Sequence, residues 1–235
     1  MKLPRCVLFL VKIENMKIFS RLCCVAVLII LAACGKKNDK KLARTYFRTA
    51  FLELADDRKG SGRLQAALQN INRAIDQSEQ PEYYALKATI LHYLGHASES
   101  MSVFNAALAL PMDRGLKAQI MNNYACVLAE AGEIARAKKI WQDLAASSWY
   151  ATPEVAWVNQ GKLCLNDGDP MRAKEAFKTA AMLAPQYVDA HFYYAVAAQA
   201  AGQLSAAKEA LQAVFKLEPD HEQALVFADR FALLG

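Results

Sequence analysis

Residues 157–185 read WVNQGKLCLNDGDPMRAKEAFKTAAMLAP, and this stretch predicts a pair of helices joined by a tight turn. Gly168 stands where the turn needs a residue that tolerates positive φ. Beyond it, the small Ala173 is followed one helical turn later, on the same face, by the bulky Phe177. Pro185 then ends the second helix, because proline cannot donate the backbone hydrogen bond that would continue it.

The same pattern recurs along most of the chain. Its turn glycines are separated by 33, 37, 36 and 34 residues, at Gly62, Gly95, Gly132, Gly168 and Gly202. The predicted first helices carry a small residue where the two helices must approach closely, at Ala55, Ala88, Ala125, Gly161 and Ala195. The second helices carry a small and then a bulky residue, at Ala67/Ile71, Ser100/Phe104, Ala137/Trp141, Ala173/Phe177 and Ala207/Leu211. Such periodicity indicates stacked copies of one unit and is typical of a binding scaffold.

The unit resembles the tetratricopeptide repeat, a helix–turn–helix of about 34 residues. The matching residues are Trp157, Gly161, Ala173, Phe177, Ala180 and Pro185. Gln160 and Cys164 depart from the usual leucine and tyrosine. The resemblance implies an all-α fold, a right-handed α-solenoid of about five helical hairpins plus a C-terminal helix. We expect the repeat domain at 42–235, with units at about 48–80, 81–117, 118–153, 154–187 and 188–221 and a helix at 222–234.

The predicted C-terminal helix has an apolar stripe made by Phe227, Phe231 and Leu234. This stripe favours a capping helix, because the last unit of a solenoid otherwise exposes its inner side. Val226 and Leu233 lie off the stripe, which leaves open a face for self-association or for a partner.

The N-terminus predicts export and lipid attachment. Lys17 and Arg21 precede twelve apolar residues at 22–33. A basic start, a short apolar core and small residues at its end are typical of a secretory signal, and the run is too short to span a bilayer. The quartet Leu-Ala-Ala-Cys at 31–34 resembles the lipobox of bacterial lipoproteins. This resemblance implies that Cys34 is acylated and becomes the first residue of the mature protein.

Residues 1–33 are therefore the predicted lipoprotein signal peptide. Met16 is our interpretation of the true start, and a longer signal that begins at Met1 stays open. Residues 34–41 form the lipidated end and a polar tether, whose lysines are either solvated or lie against anionic headgroups. The chain has no aspartate directly after Cys34, and in this it resembles lipoproteins sorted to the outer membrane. We expect an outer-membrane protein that faces the periplasm and is held by acyl chains, palmitate included.

The net charge of +5 comes mostly from the signal. Residues 1–33 contain five basic residues and one acidic residue, and the rest of the chain has 23 basic and 22 acidic residues. No basic stripe therefore supports nucleic-acid binding. Cys126 and Cys164 are the two thiols of the repeat region. We expect both to be buried and free. A disulfide between them, formed in an oxidising periplasm, is the alternative.

No motif predicts catalysis. His92 and His96 have the i, i+4 spacing of a metal pair, but Gly95 and a turn fall between them. No carboxylate or thiolate cluster lies near them in sequence. The chain also lacks a nucleophile elbow, a phosphate-binding glycine loop and an HExxH motif. We expect no enzyme activity, no metal, no cofactor and no small-molecule substrate.

The predicted working surface is the concave groove that the first helices line. Its expected partner-binding residues are His92, Tyr93, Asn122, Val158, Lys162, Phe192 and Val196. They are mostly apolar or neutral, so we expect an extended or helical peptide held by apolar anchors. Asn122 and Lys162 are available for hydrogen bonds to backbone or carboxylate groups of that peptide. A groove that is solvated or filled by the protein's own C-terminal residues is the alternative.

Two segments suggest a more specific family. They are Met-Asn-Asn-Tyr-Ala at 121–125, and Tyr150-x-x-Pro153 followed by Asn159-x-Gly161-x-x-Cys164. With the lipobox and the repeats, they resemble the type IV pilus biogenesis and stability lipoproteins, also called secretin pilotins. Members of that family carry a similar Asn-Asn-Tyr-Gly segment, a Tyr-x-x-Pro segment and an Asn-x-Gly-x-Cys helix. Most of the similarity lies at 118–220, and Ala125 replaces the family glycine.

This resemblance implies an outer-membrane lipoprotein adaptor that binds a segment of a partner protein. It would assist the assembly of a type IV pilus secretin or stabilise the pilus. Acyl chains on Cys34 would localise the protein, and the groove would raise the effective concentration of the partner at the membrane. The alternative is a general envelope scaffold that recruits peptidoglycan-processing enzymes or an outer-membrane assembly machine.

Overall fold

The computed structural model describes residues 39–55 and 61–231, and all regular structure within these ranges is helical. The helices are α1 Lys40–Ala55, α2 Ser61–Gln77, α3 Pro81–Tyr93, α4 Ala97–Ala109, α5 Arg114–Glu130, α6 Ile134–Ala145, α7 Pro153–Asn166, α8 Pro170–Leu183, α9 Val188–Ala200, α10 Leu204–Leu217 and α11 Glu222–Arg230. Helices α1 to α10 pair in chain order as hairpins, and α11 follows the last of them. The expected all-α solenoid of tetratricopeptide-like hairpins is confirmed. The predicted signal peptide and Cys34 lie outside the described residues.

Glycines end the first helices of the last four hairpins. Their φ angles are positive, at 83° for Gly95, 85° for Gly132, 75° for Gly168 and 74° for Gly202. At the end of α7, the N–H of Gly168 donates to the carbonyl of Leu165 at 3.0 Å, and the N–H of Asp169 donates to the carbonyl of Cys164 at 2.8 Å. The other three turns repeat this pair of bonds. It is the Schellman arrangement, which places a left-handed residue just after the helix and so favours glycine.

The first hairpin departs from the prediction. Gly62 lies inside α2 rather than in the turn, and α1 begins at Lys40, within the segment expected to be tether. Ala55 is exposed at the end of α1, so it is not the close-packed small residue expected there. The fully buried Ala43 and Ala50 take that role.

The core lies between the two helices of each hairpin and between adjacent hairpins. Phe104, Trp141, Phe177 and Leu211, the bulky second-helix residues of the last four hairpins, are at most 3% exposed. Gly161 allows the closest approach, because a Cβ atom added there would lie 2.6 Å from Cε1 of Phe177. In the second hairpin, the fully buried Ser100 donates its hydroxyl to the carbonyl of Ala88 at 2.7 Å.

Helix α11 covers the end of the fifth hairpin. Its Ala224 and Ala228 are fully buried, and Phe227 contacts Phe192 of α9 edge to face with ring centroids 5.9 Å apart. The N–H of Ala224 donates to Nδ1 of His221 at 3.1 Å, which caps the start of the helix. The capping interpretation of the C-terminal helix agrees with this packing. Within residues 39–55 and 61–231, no helix is both long enough and apolar enough to cross a membrane.

Candidate functional site

The first helices α3, α5, α7 and α9 form one continuous side of the solenoid, which we call the first-helix face. Neighbouring helices on this face are linked by specific side-chain contacts. Nε2 of His92 on α3 lies 2.9 Å from Oε2 of Glu130 on α5. Nζ of Lys162 on α7 lies 4.2 Å from the ring centroid of Tyr193 on α9, a cation–π contact. Two residues expected to bind a partner, His92 and Lys162, are therefore already engaged in joining helices.

Helices α5 and α7 are linked through Asn122. Its Oδ1 accepts the indole N–H of Trp141 at 3.0 Å and the Nδ2 of Asn159 at 3.1 Å. The same Nδ2 lies 3.9 Å from Sγ of Cys126. Nε2 of Gln160 donates to the backbone carbonyl of Trp141 at 3.3 Å. The side-chain oxygen Oδ1 of Asn122 thus joins α5, α6 and α7 and is not free for a partner.

Two of the expected contact residues, Val158 and Phe192, occupy equivalent places in the repeat and lie between helices rather than on the open face. Val158 is 1% exposed and belongs to a buried cluster with Phe177 and Ala190. Phe192 is 8% exposed, and the ring of His221, 5.3 Å away, lies against it together with Phe227. The expectation that Val158 and Phe192 contact a partner is therefore corrected. The reason is that the next helix along the solenoid packs over this position, and for Phe192 that helix is α11.

An accessible strip lies one helical turn further along each first helix. It consists of Thr89, Cys126, Lys162 and Val196, and each of these residues is half-buried. Near its α3 end, the ring of Tyr93 is 60% exposed, as the groove prediction requires of a contact residue. We call Thr89, Cys126, Lys162 and Val196 the binding strip. The Thr89 hydroxyl donates to the carbonyl of Ala85 at 3.0 Å and the Lys162 ammonium lies over Tyr193, so the strip presents a mainly uncharged surface, which suits a mainly uncharged peptide segment.

The binding strip contains one thiol, that of Cys126. Cys126 and Cys164 are both free. Burial, followed by the carboxylate of Glu130, raises the pKa of Cys126, and Lys162 opposes that shift. Because the thiolate is the nucleophile and the metal ligand, a raised pKa lowers the reactivity of Cys126 at neutral pH. In the described part of the chain, no three His, Cys, Asp or Glu side chains are grouped so that they could hold a metal ion.

Among the residues that connect this face, Trp141, Asn159 and Tyr193 were not predicted as site residues. Asn159 follows Asn122 by 37 residues, which is close to one repeat. The repeat spacing therefore contained a signal that the two amides occupy neighbouring helices. The contacts of Trp141 and Tyr193 depend on the orientation of their rings, for which the sequence pattern has no signal.

Comparisons with known proteins agree with this architecture. The tetratricopeptide repeat family model matches residues 165–226, from the end of α7 to the middle of α11. No curated protein matches the sequence significantly.

Several solved structures have a similar fold. Pseudomonas aeruginosa PilF has a TM-score of 0.66 and 16% identity, over 82% of this chain and 83% of that chain. PilW, described as a widely conserved type IV pilus biogenesis factor, has a TM-score of 0.68 and 21% identity, over 81% and 84%. A thermophilic tetratricopeptide repeat protein of Thermus thermophilus has a TM-score of 0.64 and 17% identity, over 82% and 100%. At these identities the likeness establishes the fold.

Proposed function

We propose that this protein is a lipid-anchored adaptor of the bacterial outer membrane, which binds a segment of another envelope protein and assists type IV pilus secretin assembly or pilus stability. The observation that carries the binding role is the half-buried binding strip on a face whose helices are held in place by their own side chains. The choice of the pilus is supported by the likeness to PilF and PilW, which covers more than four fifths of each chain.

The contacts between first helices favour binding because they preorganise the surface. His92–Glu130, Asn122–Asn159 and Lys162–Tyr193 fix the spacing of α3, α5, α7 and α9 before a partner arrives. Binding therefore costs little conformational entropy in this protein, and most of the entropy loss occurs in the partner segment. Tyr93 provides an exposed aromatic side chain, the type of residue that dominates many interfaces.

The anchor supplies the second half of the function. Cys34 is expected to carry the acyl chains, and only five residues lie between it and Lys40, where α1 begins. A scaffold held this close to the bilayer raises the local concentration of any bound segment at the membrane. Membrane attachment and partner binding are thus carried by separate parts of the chain.

Site-specific photo-crosslinking in the native cell tests the binding role. A photoreactive amino acid replaces Thr89 or Val196 in the full-length chain, and the matched controls place it at Gln142 or Lys178, which are exposed on second helices. We expect a product with a secretin subunit or another pilus component from Thr89 and Val196 only. Products with peptidoglycan-processing enzymes or barrel-assembly subunits, without any pilus component, would support the general envelope scaffold instead. Equal products from all four positions would overturn the binding role of the face.

A further inference from the structure

The solvent-exposed side of α1 concentrates positive charge. Lys40, Lys41, Arg44 and Arg48 are all exposed, and together with Thr45 they line one shallow depression of the surface. The positions 40, 44 and 48 recur every four residues, so these side chains follow one another along one side of the helix. The chain after residue 33 is close to neutral as a whole, with 23 basic and 22 acidic residues, so this cluster is a local excess of positive charge.

Asp39, directly before α1, and Glu53, near its end, already have hydrogen-bond partners. Oδ1 of Asp39 accepts the backbone N–H groups of Lys41 and Leu42, both at 3.0 Å, and so caps the helix. The carboxylate of Glu53 accepts from Nδ2 of Asn70 on α2, with a shortest distance of 3.1 Å. Among the residues that the structure describes, none of the four cations is in an ion pair. Their charge is therefore available to an external anion.

Apolar side chains continue the same exposed side. Phe51 and Leu52 follow Arg48 by three and four residues, which places them next to it on the helix surface. They are 53% and 58% exposed, whereas Ala43 and Ala50 on the opposite side of α1 are fully buried. Basic residues beside exposed phenylalanine and leucine form the combination with which interfacial helices bind membrane surfaces.

We propose that this side of α1 binds the anionic phospholipid surface of the bilayer in which Cys34 is anchored. The proposal deepens the proposed function and rests on its anchor, because the chain from Cys34 to Lys40 reaches at most about 20 Å and keeps α1 beside the headgroups. Lipid phosphates complement the four cations, and each cation strengthens membrane binding by about fivefold. Phe51 and Leu52 enter the boundary between headgroups and acyl chains. Contact through α1 fixes how the solenoid stands on the membrane.

Amine labelling of the full-length lipidated protein tests this contact. The protein is mixed with excess vesicles of phosphatidylcholine alone or of phosphatidylcholine with phosphatidylglycerol, and a water-soluble amine-reactive reagent is applied. Mass spectrometry then measures the labelling rate of each lysine. We expect Lys40 and Lys41 to be labelled about fivefold more slowly on the anionic vesicles, and the exposed Lys178 to be labelled equally on both. High salt should abolish the difference, because it screens exposed charges.

A charge-reversal variant identifies the surface responsible. Arg44→Glu combined with Arg48→Glu should remove the protection of Lys40 and Lys41, whereas Lys178→Glu should leave it intact. Both changed residues are exposed, and circular dichroism verifies that the helices persist. Equal labelling of Lys40 and Lys41 on the two vesicle types, or protection that survives the double charge reversal, would overturn the proposal. Flotation on phosphatidylcholine vesicles tests attachment through the lipid anchor alone, and crosslinking at Thr89 tests partner binding. A failure of the α1 contact is therefore distinguishable from a failure of the proposed function.

Discussion

Nδ2 of Asn159 on α7 donates a hydrogen bond of 3.1 Å to Oδ1 of Asn122 on α5. The same oxygen accepts the indole N–H of Trp141 on α6 at 3.0 Å, so one amide oxygen joins three helices. Trp141 is only 3% exposed, and its indole N–H therefore has little access to water as an alternative acceptor. This network links the second half of one hairpin to the first helix of the next.

Replacing Asn122 with alanine should lower the free energy of unfolding by about 1–3 kcal/mol, because the donors on Trp141 and Asn159 lose their acceptor. Urea denaturation followed by circular dichroism measures the change. Gln119→Ala is the matched control, since its side chain is exposed on the same helix, and a change within about 0.5 kcal/mol is expected there. If the two variants are equally stable, the network does not stabilise the fold.

Replacing Gly161 with alanine should destabilise the protein, although alanine is the better helix former. The added Cβ would lie 2.6 Å from Cε1 of the fully buried Phe177, so the ring must move. Overpacking costs about 1–3 kcal/mol and the helix preference returns about 1 kcal/mol. We therefore expect a net loss in the free energy of unfolding, measured by urea denaturation.

Two further variants separate the steric effect at Gly161 from helix propensity. Gly62→Ala adds the same methyl group inside α2, where nothing lies within 4 Å of the new Cβ, and it should keep or raise stability. Combining Gly161→Ala with Phe177→Leu should cost less than the sum of the single changes, because the smaller side chain makes room for the methyl group. Strict additivity would contradict the steric explanation.

The ionisation of Tyr187 should destabilise the folded protein in alkaline solution. Burial, and then the carboxylate of Asp189, raises the pKa of Tyr187 from its ordinary value of 10.0 to about 12. The folded protein therefore holds this proton more tightly than the unfolded chain does. The resulting stabilisation is fully present below pH 10 and is lost as the pH rises towards 12. In urea denaturation, the stability advantage of the wild type over Tyr187→Phe should shrink across this range; a constant difference would contradict the assignment.

The reactivity of Cys126 should report the charges around the binding strip. Glu130 raises the pKa of this thiol and Lys162 lowers it. Glu130→Gln should therefore speed alkylation of Cys126 at mildly alkaline pH, and Lys162→Gln should slow it, because only the thiolate reacts. Peptide mass spectrometry separates Cys126 from the other cysteines. Shifts in the same direction for both variants would show that the charges do not act on the thiol as described.

Replacing Cys34 with alanine should separate the two halves of the proposed function. Because α1, the first helix of the repeat region, begins only at Lys40, circular dichroism and thermal unfolding of that region should stay the same. Cell fractionation should show the variant lost from the outer membrane, with a lower pilus output. A variant that is released from the membrane and still supports normal piliation would argue against coupling between the anchor and the scaffold.

Much of the fold was predictable because each repeat has the same local steric requirements. Gly168 is needed by a left-handed turn and Gly161 by a close approach of two helices, and Pro185 stops α8, so each residue has its own physical reason. The first hairpin was less predictable. Gly62 suggested a turn, but the fully buried Ala43 and Ala50 set the packing of α1 instead.

The candidate site was only partly predictable, since helical spacing gives the side of a helix but not what covers it. The sequence by itself determined the repeated hairpins, their turns and the identity of the first helices, because these depend on local steric requirements that recur with the repeat. Only the tertiary structure decided that Val158 and Phe192 are buried beneath the next helix. It also decided that Asn122 is committed to Trp141 and Asn159. The physical reason is that burial and hydrogen bonding between units depend on how far and at what angle adjacent hairpins stack, which no single repeat encodes.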